Sequence, residues 1–181
     1  MDLRNPHHIG LSFISYSTEI RTLFFDRRQV KLKILHYPPI ITLLYMSIML
    51  LINFIFYSVS IHLLILNWLA LLMSIIAILV IASGGWAFKK ANTTLDPTTP
   101  EETSSLVITG IYRYSRNPMY LGMVGLLVAE VCLLGNPLCL VIIPLYIYSI
   151  TKRFIEPEEK ALKLIFGEQF NHYKKQVRMW L

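Results

Sequence analysis

The residues best suited to chemistry lie in one run, Leu106–Gly122, which is rich in arginine and tyrosine. Within it, Asn117 and Pro118 stand side by side, a pair typical of a helix that begins at Pro118 with Asn117 as its N-cap. The free N–H groups and positive dipole end of such a helix attract anions. Because Arg113 and Arg116 are close by, the run predicts a site for an anionic group. A belt of Arg and Tyr side chains at a membrane surface is the alternative interpretation.

A second group consists of three carboxylates, Glu156, Glu158 and Glu159. They precede or begin an amphipathic helix predicted over Pro157–Phe166, with Gly167 as its stop. Their structural interpretation is that acids in a first turn complement the helix dipole. If this group meets the arginine- and tyrosine-rich run, the two together offer donors for a carboxylate and acceptors for an ammonium. That combination suits a zwitterionic ligand of the amino-acid type.

The elements that must position these residues belong in a membrane. Of the 181 residues, 55% are hydrophobic and 15% are charged, whereas soluble domains have roughly 45–50% and about 25%. No Asp, Glu, Lys or Arg occurs from Ile34 to Phe88, a length sufficient for two membrane-spanning helices. We therefore predict an all-α integral membrane protein with about four transmembrane helices and a cytoplasmic amphipathic C-terminal helix.

Turn residues set the expected boundaries of these elements. Gly84-Gly85 is expected to end the second span. The four spans are predicted at Ile40–Ser58, Leu63–Ser83, Pro118–Leu134 and Leu138–Ile150. The expected organisation is an N-terminal cytoplasmic or interfacial extension over 1–36, a first transmembrane pair over 37–83, and over 84–181 a loop, a second transmembrane hairpin and the C-terminal helix. The extension is interpreted either as an amphipathic stretch on the membrane surface or as an ill-ordered segment.

The positions of the basic residues indicate the orientation. The net charge is +6, and every Lys and Arg lies in 1–33, 89–116 or 152–178. Because basic loops face the cytoplasm, we expect both termini and the middle loop there, in a multi-pass membrane protein. The same distribution makes nucleic-acid binding the lesser interpretation of the basic charge. Cys132 and Cys139 are interpreted as apolar filler, and no metal-binding spacing is present.

Several residues and motifs, in a fixed order over about 84–181, carry a family resemblance. They are Gly85-Trp86, Thr93-Thr94, Pro97, Leu106-Val107, Gly110, Tyr112-Arg113, Arg116-Asn117-Pro118-Met119-Tyr120, Gly122, Glu158-Glu159, Leu162, Phe166-Gly167, Tyr173, Val177 and Trp180-Leu181. Together they resemble the isoprenylcysteine carboxyl methyltransferase and phospholipid methyltransferase superfamily, particularly its small bacterial members.

The resemblance implies a membrane methyltransferase that uses S-adenosylmethionine and acts on a lipid-like or small amphipathic acceptor, through a carboxylate or an amine. It places the cofactor between the cytoplasmic end of the third span and the C-terminal helix. The implied cofactor contacts are Ser104, Ser105, Leu106, Val107, Tyr112, Asn117, Pro118, Met119, Tyr120 and Glu158. The candidates for a catalytic role are Tyr120, Arg153 and Glu159.

Two positions depart from the isoprenylcysteine enzymes that the chain resembles. Asn117 stands where those enzymes usually have His, and it retains a side chain able to cap a helix. Phe154 stands where they have an Arg for the substrate carboxylate. The adjacent Arg153 replaces that Arg only if the helix turns differently there. The departure at Phe154 weakens the case for an isoprenylcysteine acceptor.

Two other functions remain open. Membrane reductases of the sterol type bind NADPH with a related helical arrangement, but the 2′-phosphate of NADPH needs basic residues, and the 89–105 loop offers only Lys89 and Lys90. The second is a non-enzymatic membrane factor on the same scaffold. Glu130 is the one acid within the third span, and we interpret it as a solvated helix end rather than a functional group. A soluble Rossmann-type methyltransferase is disfavoured because no Gly-rich βαβ fingerprint is present.

Overall fold

The computed structural model of the protein describes residues 37–61, 63–91 and 105–181, and every regular element in these ranges is helical. The predicted all-α fold is thus confirmed. The α-helices are α1 Pro38–Ile55, α2 Leu64–Lys90, α3 Pro118–Leu134, α4 Ile142–Ile150 and α5 Glu156–Gln176; 3₁₀ turns occupy Tyr57–Val59, Gly110–Arg113 and Pro137–Val141, and a π turn occupies Thr151–Ile155.

Three helical stretches are long and apolar enough to cross a membrane: α1, α2 and the 40-residue stretch Pro137–Gln176. This stretch contains α4, the π turn and α5, and its helical geometry is broken at Gly167. Its last part, α5, is rich in Lys and Glu, so we place only 137–155 in the membrane. α3 is a shorter apolar helix of 17 residues. The chain is therefore an integral membrane protein, and the count of four spans stays a prediction.

α3 lies at the centre, and α2 packs along one side of it through small residues. A Cβ atom on Gly122 would lie 2.5 Å from Cγ1 of Ile81 and 2.8 Å from the carbonyl oxygen of Ala77. A Cβ on Gly125 would lie 3.0 Å from Cβ of Ala77. The small side chains therefore let the two backbones approach closely, which is how transmembrane helices gain dispersion contacts.

The opposite side of α3 packs against α1 and α4. A buried cluster joins these three helices; its members include Ile41, Met49, Met123, Leu127, Tyr146 and Ile150. Two hydroxyl pairs add polar contacts between α1 and α4. Thr42 Oγ1 lies 2.8 Å from Tyr146 Oη, and Tyr45 Oη lies 2.6 Å from Ser149 Oγ. This packing fixes α3 and α4 relative to each other, and with them the helix that follows α4.

The end of α3 remote from Pro118 differs from expectation. Gly135 adopts φ 61°, the left-handed conformation common after a helix, and its carbonyl accepts a hydrogen bond of 2.8 Å from the Ile61 N–H. Glu130, one turn earlier, is only 6% exposed, and its Oε2 has no hydrogen-bond partner among the described residues. The interpretation of Glu130 as a solvated helix end is therefore wrong: its side chain faces the packed interior.

The predicted end of α2 is also wrong, because α2 continues past Ser83 and through Gly84-Gly85 to Lys90. Gly84 is buried there against the Met119 side chain. Gly167 ends the first helical half of α5, as predicted. It adopts φ 50° and ψ −120°, a conformation open mainly to glycine, and the helix resumes beyond it to Gln176. Gly167 is thus a sharp bend within α5.

Candidate functional site

The first turns of α3 and α5 meet at a hydrogen bond between Tyr120 and Glu158. The Tyr120 hydroxyl donates to Glu158 Oε1 at 2.5 Å. Tyr120 is 9% exposed, and Glu158 is partly buried. The two segments singled out in the sequence, Leu106–Gly122 and 156–159, are therefore in direct contact at one end of the helix bundle.

Aromatic rings surround this hydrogen bond. The Phe154 ring packs against the Tyr120 ring with centroids 6.4 Å apart, and Phe154 is buried. Tyr112, also buried, makes an edge contact with Phe88 at 5.4 Å. The Tyr173 hydroxyl donates to the backbone carbonyl of Tyr112 at 2.7 Å, which fixes the 3₁₀ turn that holds Tyr112. Among the residues that the structure describes, these rings form a mostly apolar enclosure around the Glu158 carboxylate.

The enclosure changes the acidity of its polar groups. Burial raises the pKa of the Glu158 carboxyl from 4.5 to about 7, although the hydrogen bond from Tyr120 favours the charged form. Burial also holds the pKa of the Tyr112 hydroxyl well above its usual range, and the nearby Tyr173 and Glu158 add to this effect. Near neutral pH, Glu158 is therefore poised between its acid and carboxylate forms, and a cation bound beside it would favour the carboxylate.

The neighbouring acid, Glu159, has a different environment. Its Oε1 accepts hydrogen bonds from Arg116 Nε at 2.9 Å and from Arg116 Nη2 at 2.5 Å. Its Oε2 forms an ion pair of 2.6 Å with Lys174 Nζ. Both oxygens are thus occupied by cations, which favours a structural role for Glu159 over its predicted catalytic one.

The start of α3 also binds the end of the chain. The Arg116 N–H donates to the carbonyl of Arg178 at 3.0 Å, and Arg116 Nη1 donates to the carbonyl of Val177 at 2.5 Å. Asn117 occupies the predicted N-cap position, but its side chain makes no capping hydrogen bond. Its Nδ2 instead donates to the carbonyl of Met179 at 3.0 Å. The Asn117 amide thus holds the C-terminal segment rather than capping α3.

The remaining cofactor candidates lie around the same helix ends. Val107 and Pro118 are buried, and Met119 covers Gly84. Ser105 Oγ donates to the carbonyl of Ala91 at 3.3 Å, which ties the segment after the loop to the end of α2. Leu106 packs against the cluster of Phe170, Tyr173 and Val177. Ser104 lies outside the described residues.

The helix does turn differently at Phe154, but this turn does not bring Arg153 into the position that Phe154 occupies. Pro157 lacks an N–H, and its ring would collide with the carbonyl of residue 153 in a regular α-helix. The chain forms the π turn Thr151–Ile155 instead, a common adjustment at functional sites. Arg153 remains exposed, while Phe154 is buried against Tyr120. The predicted catalytic role of Arg153 therefore has no support in the contacts of the described residues.

The sequence of the chain matches the model of a known family over residues 65–169, more than half its length. That family is described as phospholipid methyltransferase. The chain belongs to the phospholipid methyltransferase family. The matched range includes α2, α3, α4 and the first part of α5, and thus both Tyr120 and Glu158.

Two individual relatives of this phospholipid methyltransferase family member are themselves named as methyltransferases. The chain is 34% identical over 76 residues to protein-S-isoprenylcysteine O-methyltransferase of Mus musculus, covering 42% of this chain and 27% of that protein. It is 38% identical over 80 residues to the Saccharomyces cerevisiae protein of the same name, covering 44% and 34%. An uncharacterised protein of Haemophilus influenzae is 36% identical over 63 residues, covering 35% of this chain and all of that protein. The matches thus span only about a third or less of the named methyltransferases. No solved structure matches significantly.

One part of this family member's site was not expected from its sequence: the ion-pair network of Arg116, Glu159 and Lys174. Glu159 and Lys174 are 15 residues apart, too far for an ordinary contact within one helix. The available signal was Gly167 between them, since a glycine can adopt the positive φ that bends a helix. The prediction ended the helix at Gly167 and therefore did not include the second half of α5, which folds back towards Glu159.

Proposed function

We propose that the chain transfers a methyl group from S-adenosylmethionine to a lipid-like acceptor at the cytoplasmic face of the membrane. Family membership supports methyl transfer, and the basic ends of the described helices support the cytoplasmic placement. The observation that carries the proposal is the Tyr120–Glu158 hydrogen bond. It puts one carboxylate of raised pKa inside an aromatic enclosure, beside the free N–H groups at the start of α3.

These residues fit the chemical groups of the cofactor. Glu158 would hold the ammonium. Burial favours the neutral form of its carboxyl group, and a bound cation would favour the carboxylate form. The N-terminal N–H groups of α3, from Met119 and Tyr120, would hold the carboxylate. Val107 and Tyr112 supply buried apolar surface of the kind that an adenine ring requires.

The protein's contribution to such a transfer is positioning. S-adenosylmethionine, when bound, supplies a methyl group on a sulfonium, and this group is transferred by in-line displacement. Tyr120 and Phe154 restrict water beside Glu158, and the packed ends of α3 and α5 hold the side chains in place. A dry site with fixed geometry lowers the barrier of a displacement without a strong acid or base.

The charges of the site favour an amine acceptor over a carboxylate. Among the described residues of the charged segments, Arg116 is paired with Glu159 and Lys152 with Glu156, while Arg113 and Arg153 are exposed. These residues thus provide no buried, unpaired cation for the carboxylate of an acceptor. An amine acceptor must release its proton to water before it attacks the methyl group, and the aromatic rings stabilise the ammonium product.

A reductase using NADPH has less support. A 2′-phosphate needs basic partners, and the sequence has no Lys or Arg from 91 to 112. Lys89 and Lys90, at the end of α2, are exposed.

Calorimetry on the purified protein in detergent tests the cofactor. We expect heat of binding from S-adenosylhomocysteine and none from NADPH. Heat from NADPH alone would favour the reductase, and heat from neither would favour a non-enzymatic factor.

A labelling experiment tests the acceptor. The protein is incubated with methyl-labelled S-adenosylmethionine and vesicles that contain either phosphatidylethanolamine or an S-prenylated cysteine with a free carboxylate. We expect label in the amine lipid. Label only in the prenylcysteine would show that the charge argument fails while the methyltransferase activity stands.

A further inference from the structure

α5 folds back on itself at Gly167. In a straight helix, residues 15 apart are separated by about 22 Å along the axis. Glu159 and Lys174 have this separation in sequence, yet Glu159 Oε2 and Lys174 Nζ are 2.6 Å apart. The positive φ of Gly167 makes the reversal possible. The two halves of α5 thus form a hairpin, closed at its open end by this ion pair.

The closed hairpin is anchored to α3 through the same carboxylate. Arg116 binds Glu159 Oε1 with two nitrogens, and its Nη1 donates to the carbonyls of Lys174 at 3.3 Å and Val177 at 2.5 Å. The Arg116 and Glu159 side chains are 7% and 10% exposed, so their pairing is protected from solvent, whereas Lys174 is 50% exposed. Glu159 is therefore the point at which the start of α3 and both halves of α5 are joined.

This junction determines the direction of Glu158. Consecutive residues on an α-helix point about 100° apart. Once Glu159 is held towards Arg116 and Lys174, the rotation of the first turn of α5 is set, and Glu158 faces Tyr120. The two adjacent acids thus have separate tasks: Glu159 holds the helix, and Glu158 faces the site.

We propose that Lys174 is a positioning residue, which acts through Glu159 to hold Glu158 in the orientation that binds the cofactor. This proposal rests on the proposed function, because it concerns the same carboxylate. Lys174 itself contacts Glu159 and lies on the far half of the hairpin, so its effect on the cofactor is indirect.

A double-mutant cycle on S-adenosylhomocysteine affinity separates positioning from a general structural role. We expect Lys174→Met to weaken binding by about threefold, as befits one half-exposed ion pair, Lys174→Arg to restore it, and Lys175→Met, at the exposed adjacent position, to leave it unchanged. In a Glu158→Gln background, Lys174→Met should change affinity by less than about 1.5-fold, because the group it positions is gone.

The outcomes are distinguishable. Equal losses from Lys174→Met with and without Glu158 would refute positioning through that carboxylate and leave the methyltransferase proposal intact. If the wild-type protein binds and the Lys174→Met variant binds equally well, the positioning role is likewise refuted and the methyltransferase proposal stands. If the wild-type protein does not bind S-adenosylhomocysteine at all, the proposed function fails, and the role of Lys174 fails with it.

Discussion

Tyr120 and Glu158, 38 residues apart in sequence, share a hydrogen bond of 2.5 Å that joins the first turn of α3 to the first turn of α5. Neither helix could form this site alone. Removing the charge of Glu158 should weaken binding while the protein still folds. We expect Glu158→Gln to weaken S-adenosylhomocysteine binding at pH 8 by about tenfold or more, since a charge-assisted contact contributes about 1.5–3 kcal/mol. Calorimetry measures the loss.

The matched control for that variant is Glu156→Gln. Glu156 lies two residues earlier and pairs with the exposed Lys152 at 2.5 Å. This substitution should leave affinity unchanged. Equal losses in both variants would mean that the acids act only by complementing the helix dipole.

The raised pKa of Glu158 predicts a pH dependence of binding. With a pKa of about 7, about a tenth of this carboxyl is ionised at pH 6 and about nine-tenths at pH 8. Because the ionised form is the one that holds an ammonium, affinity should rise by about tenfold between these values and then level off. Titrations in a pH series measure this, and Glu158→Gln should give a flat profile. A wild-type profile that is also flat would contradict the role of Glu158.

The raised pKa of Glu158 has the opposite effect on stability, which should fall as the pH rises. The folded state binds this proton more tightly than the unfolded chain, since the pKa is raised from 4.5 to about 7. Its contribution to the unfolding free energy is therefore fully present below about pH 4.5 and is lost as the pH rises through 7. Comparing the unfolding temperatures of wild type and Glu158→Gln across this range measures the contribution. The two proteins should diverge as pH increases, with the wild type the less stable.

Tyr120→Phe tests the hydroxyl separately from the ring. The ring should still pack against Phe154, so the unfolding temperature should change little. Loss of the hydrogen bond to Glu158 should weaken S-adenosylhomocysteine binding by about fivefold, from roughly 1 kcal/mol for such a bond. Tyr114→Phe is the control, because Tyr114 is 75% exposed. A drop in stability without a change in affinity would assign Tyr120 to packing alone.

Helix packing can be tested at two glycines of α2 and α3. Gly122→Ala should lower the unfolding free energy by about 1–3 kcal/mol, since its new Cβ would collide with Ile81 and with the backbone of Ala77. Gly85→Ala is the control, as no atom of the described residues lies within 4 Å of a Cβ placed there. Thermal unfolding in detergent measures both. Equal behaviour of the two variants would contradict close packing of α2 on α3.

Glu130→Met should raise the unfolding temperature. The substitution removes a carboxyl oxygen that is buried without a hydrogen-bond partner in the part of the chain that the structure describes, and it keeps a similar side-chain volume. Glu130→Gln, which retains a polar group in the same place, should give a smaller gain. If Glu130→Met instead unfolds the protein, Glu130 has a stabilising partner in the native membrane.

Local signals in the sequence were sufficient to predict a helix end where one residue determines its own backbone conformation. Asn117-Pro118 fixes the start of α3 and Gly135 its end, so both bounds were predicted correctly. The end of α2 was predicted incorrectly, because a Gly pair is a local stop signal, whereas Gly84 lies within α2 and is buried against Met119 of α3. The contact of the acidic segment 156–159 with the run Leu106–Gly122 was predicted from their residue types and from the expected placement of both on one side of the membrane. The pairing of Glu159 with Lys174 and the burial of Glu130 depend on how helices meet in space, which no local pattern specifies.

The helical run from 142 to 166, through α4, the π turn and the first half of α5, has a mechanical consequence. No loop separates the apolar part that contacts α1 and α3 from the turn that carries Glu158, so the carboxylate is held at a set depth relative to the bilayer. An acceptor must bring its reactive atom to that level. A thicker or thinner bilayer would tilt the helix and shift this level, so the length of an acceptor's hydrocarbon chain and the thickness of the host membrane become linked variables in turnover.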